Sequence, residues 1–208
     1  MKSHFTIIRL LGVSVLCILI TGCLLKPATV TTRRFVLTPA PPGDRDTAAT
    51  PITVGIGRVR MPDYLLKDSM AVRKGGNEIQ YLENVLWAEG LDHSFQRTLA
   101  ANLSSQLGGS RVRLSSWQPG EVALAVRVSV ERLDVDAQGR GTLIVQWTIE
   151  APESGKVLKD GESSFSKSGP VPHDDPASIA ATLSDLTAQF SEAMAKAVRE
   201  CAPTGATR

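Results

Sequence analysis

The chain is poor in the side chains that most chemistry needs. Its 208 residues include three histidines, three cysteines and only 5% aromatics. An enzyme site requires a nucleophile with a base, paired carboxylates or a metal cluster, and the sequence offers no such set. His93 falls among polar residues on an expected helix. His173-Asp174-Asp175 are adjacent, a spacing that seldom lets side chains converge on one ion, and the aspartates read better as a helix cap. Gly55-x-Gly57 lacks the third glycine and the following helix of a dinucleotide loop. Gly75-Gly76-Asn77 is a turn without a Lys-Ser/Thr partner for phosphate. We therefore expect no catalytic site, no metal site and no cofactor. The scarcity of aromatics also counts against a saccharide-gripping surface. A long apolar run is missing too: residues 10–20 cover about 16 Å at helical rise, far short of the roughly 30 Å of a bilayer core.

That short run has a different use. Lys2 and Arg9 precede it and Ile20-Thr21-Gly22-Cys23 ends it, the layout of a secretory signal. The tetrapeptide resembles the lipobox of bacterial lipoproteins, which implies cleavage between Gly22 and Cys23. It also implies a diacylglyceryl group and an N-acyl chain on Cys23. Residues 1–22 are thus expected to be signal peptide and residues 23–32 a lipidated tether. Removing Lys2 and Arg9 takes the 23 bases to 21, against 21 acids. The basic isoelectric point belongs to the discarded segment and argues for no nucleic-acid partner. Cys17 leaves with the signal and Cys23 is consumed by lipid, so Cys201 remains without an internal disulfide partner and packing must supply the stability. A tether of about ten residues reaches roughly 30–35 Å when extended, which keeps the folded part beside its membrane.

The remainder reads as one α+β domain over residues 33–201, with 202–208 a tail. A strand is expected over residues 33–38, then a loop opened by Pro39-Ala40-Pro41-Pro42-Gly43-Asp44. Ile52, Val54 and Ile56 alternate as a strand stopped by Pro62. Asp63-Tyr64-Leu65-Leu66 forms a turn, and residues 69–73 and 78–82 a hairpin. Leu91, Phe95, Leu99, Leu103 and Leu107 repeat every fourth residue on a helix over residues 89–107, ended by Gly108-Gly109. Val122, Leu124, Val126, Val128 and Val130 keep even parity, whereas Leu133 and Val135 are odd. A one-residue slip inverts every later side chain, so a β-bulge is expected near Glu131-Arg132. Residues 143–149 form the next strand, and residues 156–166 a polar edge strand. Asp174 or Asp175 caps a final helix whose inner face carries Ile179, Leu183, Leu186, Phe190, Met194 and Ala197. The pattern predicts a mostly antiparallel or mixed sheet packed against two long helices.

Several of these stretches resemble the ABC-type transport auxiliary lipoprotein family. Arg34-Phe35-Val36-Leu37 resembles its opening strand, and residues 52–65 its strand ending in a Leu-Pro-x-Tyr-Leu turn. Asn84-Val85-Leu86-Trp87-Ala88-Glu89 resembles the family's lead into the first helix, and Trp117 and Trp147 stand where the family tends to have tryptophan. Gly57 and Gly90 replace prolines expected at those turns, and Met61 replaces a leucine. The resemblance implies an outer-membrane lipoprotein facing the periplasm, non-catalytic, in a system that moves phospholipid or other hydrophobic molecules between membranes. It further implies an MCE-domain protein as partner and assembly into a homo-oligomeric ring that docks on it. The rival expectation is a lipoprotein regulator or assembly factor of a cell-wall synthase or outer-membrane secretion machine. Pro62, Tyr64, Leu65 and Trp87 read either as a lid on the core or as an interface with a neighbouring subunit or partner.

Overall fold

The computed structural model describes residues 31–42, 52–108, 110–172 and 175–202. Eight strands run β1 (Arg33–Phe35), β2 (Thr53–Ile56), β3 (Ser69–Lys74), β4 (Glu78–Trp87), β5 (Arg111–Leu114), β6 (Leu124–Asp136), β7 (Arg140–Ala151) and β8 (Lys156–Ser168). Two helices, α1 (Leu91–Gln106) and α2 (Ala177–Cys201), and a 3-10 turn, Asp63–Leu65, complete the set. The class is α+β, with one mixed sheet packed against two helices.

The sheet forks at β6. One edge of β6 pairs antiparallel with β7 over most of its length, and β7 pairs with β8. The other edge is shared. β2 runs parallel to the start of β6, Arg60 bridges Ser129, and β3 runs parallel to its end through Val72↔Val135. β2 then carries β5, and β3 carries β4 and β1. The parity change in β6 is met by a register shift between Val130 and Arg132. It keeps Val126, Val128, Val130, Leu133 and Val135 on one face, opposite Ile149, Trp147, Val145, Leu143 and Gly141 of β7.

Both helices cover that face. All six expected inner residues of α2 are buried, and Phe190 stacks on Phe95 of α1 at 6.1 Å between ring centres. Gly141 lets α2 come close, because a Cβ there would stand 2.5 Å from Thr182 Cγ2. Asp175 Oδ1 accepts from the Ala177 N–H at 3.1 Å at the start of α2, whereas His173 and Asp174 lie outside the described residues, as does Gly109.

Three sequence expectations need correction. The first strand stops at Phe35, not at Thr38. Beyond it the chain becomes a strap across the two helices, whose side chains take over its backbone bonding. The N–H groups of Leu37, Thr38 and Ala40 donate to Ser94 Oγ, Ser184 Oγ and Asn102 Oδ1 at 3.1, 3.0 and 2.9 Å. Thr98 Oγ1 donates back to the Leu37 carbonyl at 3.3 Å. This explains why polar residues, Ser94, Thr98, Asn102, Ser184 and Ser191, are buried between helices. Second, β4 does not end at Leu82 but runs on to Trp87, through Asn84 at φ 59°. Parallel pairing with β1 holds that extension. Third, β5 was not expected, since Arg-Val-Arg-Leu carries little apolar signal; it forms because β2 offers a free parallel edge.

Candidate functional site

Two places bring chemically distinctive residues together. The first is the turn after β2. Pro62 fixes the entry, and Leu65 N–H donates to the Pro62 carbonyl at 2.9 Å. Leu65 is 3% and Trp87 6% exposed, both within the core, while Pro62 and Tyr64 are half-buried. Leu66 points outward, 45% exposed. Tyr64 seats the turn on the sheet: its hydroxyl donates to Asp134 Oδ2 at 3.1 Å, and Tyr81 Oη donates to the Tyr64 carbonyl at 3.1 Å.

Asp134 is the hub of this corner. Its side chain is fully buried, and Arg73 reaches Oδ2 through Nε at 2.9 Å and Nη2 at 2.6 Å. Arg132 Nε donates to Oδ1 at 2.8 Å. Arg73 also lies over the Tyr64 ring, 5.9 Å from its centre. A buried carboxylate is tolerated only when its lone pairs are filled by charged donors, and here both oxygens are. The Tyr64 phenol is pushed up to about 12, first by burial and then by the negative charge of Asp134, with Arg73 opposing. Nothing in the sequence singled out Asp134, which reads as an ordinary outward residue of an alternating strand.

The second place is a groove of about 850 Å³ on the sheet face that the helices leave bare. It is lined by Arg58, Arg60 and Arg127 on one side and by Asp160 and Glu162 on the other. The pairing explains the layout: Arg60, bridged to Ser129 beyond the end of β2, continues as Ser129↔Gln146↔Glu162 across β6, β7 and β8, and Arg127↔Thr148↔Asp160 is the next row. Trp117 closes one end. Its ring lies flat on Gly55, where a Cβ would sit 2.7 Å from the ring. Buried Gln96 of α1 fixes the wall from behind, donating to the carbonyls of Gly57 and Ile56 at 2.8 and 3.1 Å. It also contacts Ser115 Oγ at 3.2 Å, and Ser115 holds a strained φ of 65°. Trp147, paired with Val128 on the alternate parity, also borders the groove, and its indole N–H donates to Ser163 Oγ at 3.0 Å.

Of the other residues considered from the sequence, His93 has a 74% exposed side chain. Cys201 is half-buried, its thiol pushed up by burial. Among the described residues no His, Cys, Asp and Glu side chains gather as a metal-ligand set. No helix among them is long and apolar enough to cross a membrane. Gly22 and Cys23 lie outside the described residues.

A family model for the ABC-type transport auxiliary lipoprotein component matches residues 35–195. The chain belongs to this family. Curated relatives in the family's line include the intermembrane transport lipoprotein PqiC of Escherichia coli K12, 28% identical over 104 residues. That match takes in 50% of this chain and 54% of the relative, so the chain spans about half the length of the curated relatives it matches. The Shigella flexneri protein of the same name matches to the same extent. Among solved structures, an uncharacterised protein aligns with a TM-score of 0.66 at 21% identity, over 81% of this chain and 99% of that one. A Xanthomonas campestris protein aligns at 0.64 and 14% identity, over 82% and 93%. These likenesses show the fold.

Proposed function

We propose that this family member is a lipid-anchored, non-catalytic auxiliary component of a system that carries phospholipid or other hydrophobic molecules between membranes. The observation that carries the reading is the family match over residues 35–195, joined to the Cys23 lipobox that precedes the first strand by ten residues. The relative's name, intermembrane transport lipoprotein, supports the same reading. In this account residues 1–22 are removed, and Cys23 carries a diacylglyceryl group and an N-acyl chain. Each buried methylene contributes about 0.8 kcal/mol, so two or more chains anchor stably. The anchor is placed in the outer membrane, facing the periplasm, with residues 33–201 as the working domain.

The partner is an MCE-domain protein of the same system, and the chain serves as a ring-forming docking or outlet piece. The turn at Pro62, Tyr64 and Leu66 is the proposed contact, since it presents an aromatic and an aliphatic side chain on a rigid base, the composition that dominates interface energetics. Leu65 and Trp87 support it from beneath. The short tether favours this over a regulator that must work through the cell wall at a distance.

The test is extraction of the full chain, lipid anchor included, in mild detergent with its co-expressed MCE-domain protein. Co-migration as an oligomer, reduced by Leu66→Asp, is the expected result. A strictly monomeric protein that never co-migrates would contradict the proposal.

A further inference from the structure

The bare sheet face is charged in an ordered way. Arg58 and Arg60 follow β2, Arg127 stands on β6, the acids stand on β8, and uncharged hydrogen-bonding residues, Ser129, Gln146 and Thr148, fill the rows between Arg60 and the acids. From Arg60 to Glu162 is three strand spacings, about 14 Å, which the two long side chains shorten from both ends. Arg127 is held by Glu150 at 2.5 Å. Arg58 and Arg60 are exposed, and among the described residues neither forms an ion pair. The groove therefore offers unused positive charge at one wall and negative charge at the other.

Its shape selects the kind of occupant. A concavity of about 850 Å³ falls in the range of small-molecule sites, about 300–1,000 Å³. Its walls are fixed in advance by Gln96 and by the seat of Trp117 on Gly55. Indole suits a boundary between apolar and polar matter.

We propose that this groove holds the headgroup of a zwitterionic phosphoglyceride. The phosphate diester sits on Arg58 and Arg60, the amine faces Asp160 and Glu162, and the glycerol end lies on Trp117. The occupant rests on the transport reading, which keeps the domain within tether reach of a bilayer; charge complementarity picks the headgroup. Guanidinium groups bind phosphate oxygens through paired N–H bonds, and the acid wall discriminates against a headgroup with net negative charge.

The experiment uses the full lipidated chain in dodecyl maltoside, an uncharged detergent. Titrants are dihexanoyl phosphatidylethanolamine, dihexanoyl phosphatidylglycerol, phosphoethanolamine and inorganic phosphate, followed by tryptophan fluorescence and calorimetry. The phosphatidylethanolamine is expected to bind most tightly. Arg58→Ala with Arg60→Ala should weaken it about tenfold or more, as expected for lost charge-assisted bonds. Asp160→Asn with Glu162→Gln should lower its preference over phosphatidylglycerol, and Arg111→Ala, outside the groove, should change nothing. Equal binding by the arginine variant overturns the proposal. So does phosphate binding as tightly as the lipid, which marks an adventitious ion only, or phosphoethanolamine matching the lipid, which marks a free solute. No lipid binding by the unmutated chain, with partner co-migration intact, refutes this site alone; failure of the unmutated chain to co-migrate refutes the transport reading.

Discussion

Replacing Asp134 by asparagine tests whether the turn after β2 is held by a buried charge. The substitution keeps the volume and removes the charge, leaving Arg73 and Arg132 without the carboxylate that both now contact. The amide can accept through one oxygen only, and its NH₂ group must face a guanidinium donor or the Tyr64 hydroxyl. Breaking a buried ion pair from one side costs about 3–5 kcal/mol. Arg73 and Arg132 keep 18% and 31% of their side-chain surface in water, so water relieves part of that cost and we take about 3 kcal/mol. For a domain of this size each kcal/mol moves the midpoint by about 2–4 °C, which predicts a fall of about 6–12 °C in Tm. The assay is thermal unfolding of the full chain in detergent, followed by circular dichroism, with urea melts as a check. A fall below about 2 °C would mean that the cluster holds nothing. Arg73→Met combined with Asp134→Leu should recover much of the loss, because apolar replacement of a buried pair is often tolerated.

Other outcomes follow from single contacts. The raised Tyr64 pKa keeps its phenol protonated in the fold while an unfolded tyrosine ionises near 10. This contribution is fully present below pH 10 and is lost as pH rises through about 12. Alkaline unfolding should therefore begin at higher pH in Tyr64→Phe, which loses about 1 kcal/mol at neutral pH; far-ultraviolet circular dichroism against pH follows it in both chains. Asn102→Ala leaves the Ala40 N–H and Ser191 Oγ without their partner and should cost about 2–3 kcal/mol, with hydrogen exchange accelerating first at Leu37 to Ala40. Gly55→Ala drives a methyl group into the Trp117 ring, so the near-ultraviolet dichroism of that indole should change while the far-ultraviolet signal stays. Phe190→Ala opens a hole between α1, α2 and Phe165 and should cost about 3–5 kcal/mol in urea melts.

What could be read beforehand follows the physics of periodicity. The inner face of α2 and the parity switch of β6 were visible because side-chain direction is fixed by local repeat. The bulge at Val130–Arg132 is that switch made structural. Contacts set by the tertiary fold left no local trace. Leu37 to Ala40 look like a strand running into a proline loop, and only the hydroxyls and amide on distant helices make them a strap. The Pro62-x-Tyr64-Leu65 turn was visible, but its anchor Asp134 lies 70 residues away and matches the polar side of an alternating pattern. Arg58, Arg60, Asp160 and Glu162 are ordinary surface charges in sequence; the Arg60–Ser129 bridge and the pairing of β6, β7 and β8 set them on opposed walls. Leu65 and Trp87, read from the sequence beside Pro62 and Tyr64 as lid or interface, differ from Tyr64 in being buried, which residue type does not encode.

Residues 33–201 do their work, in this account, within a few tens of ångströms of a bilayer, held by acyl chains on Cys23. Mass spectrometry of the N-terminal peptide from detergent-extracted protein measures this directly. The account predicts a chain that starts at Cys23, with a diacylglyceryl group on the sulfur and an acyl group on the amine. A chain that retains residues 1–22, or an unmodified Cys23 thiol on protein released without detergent, would contradict it.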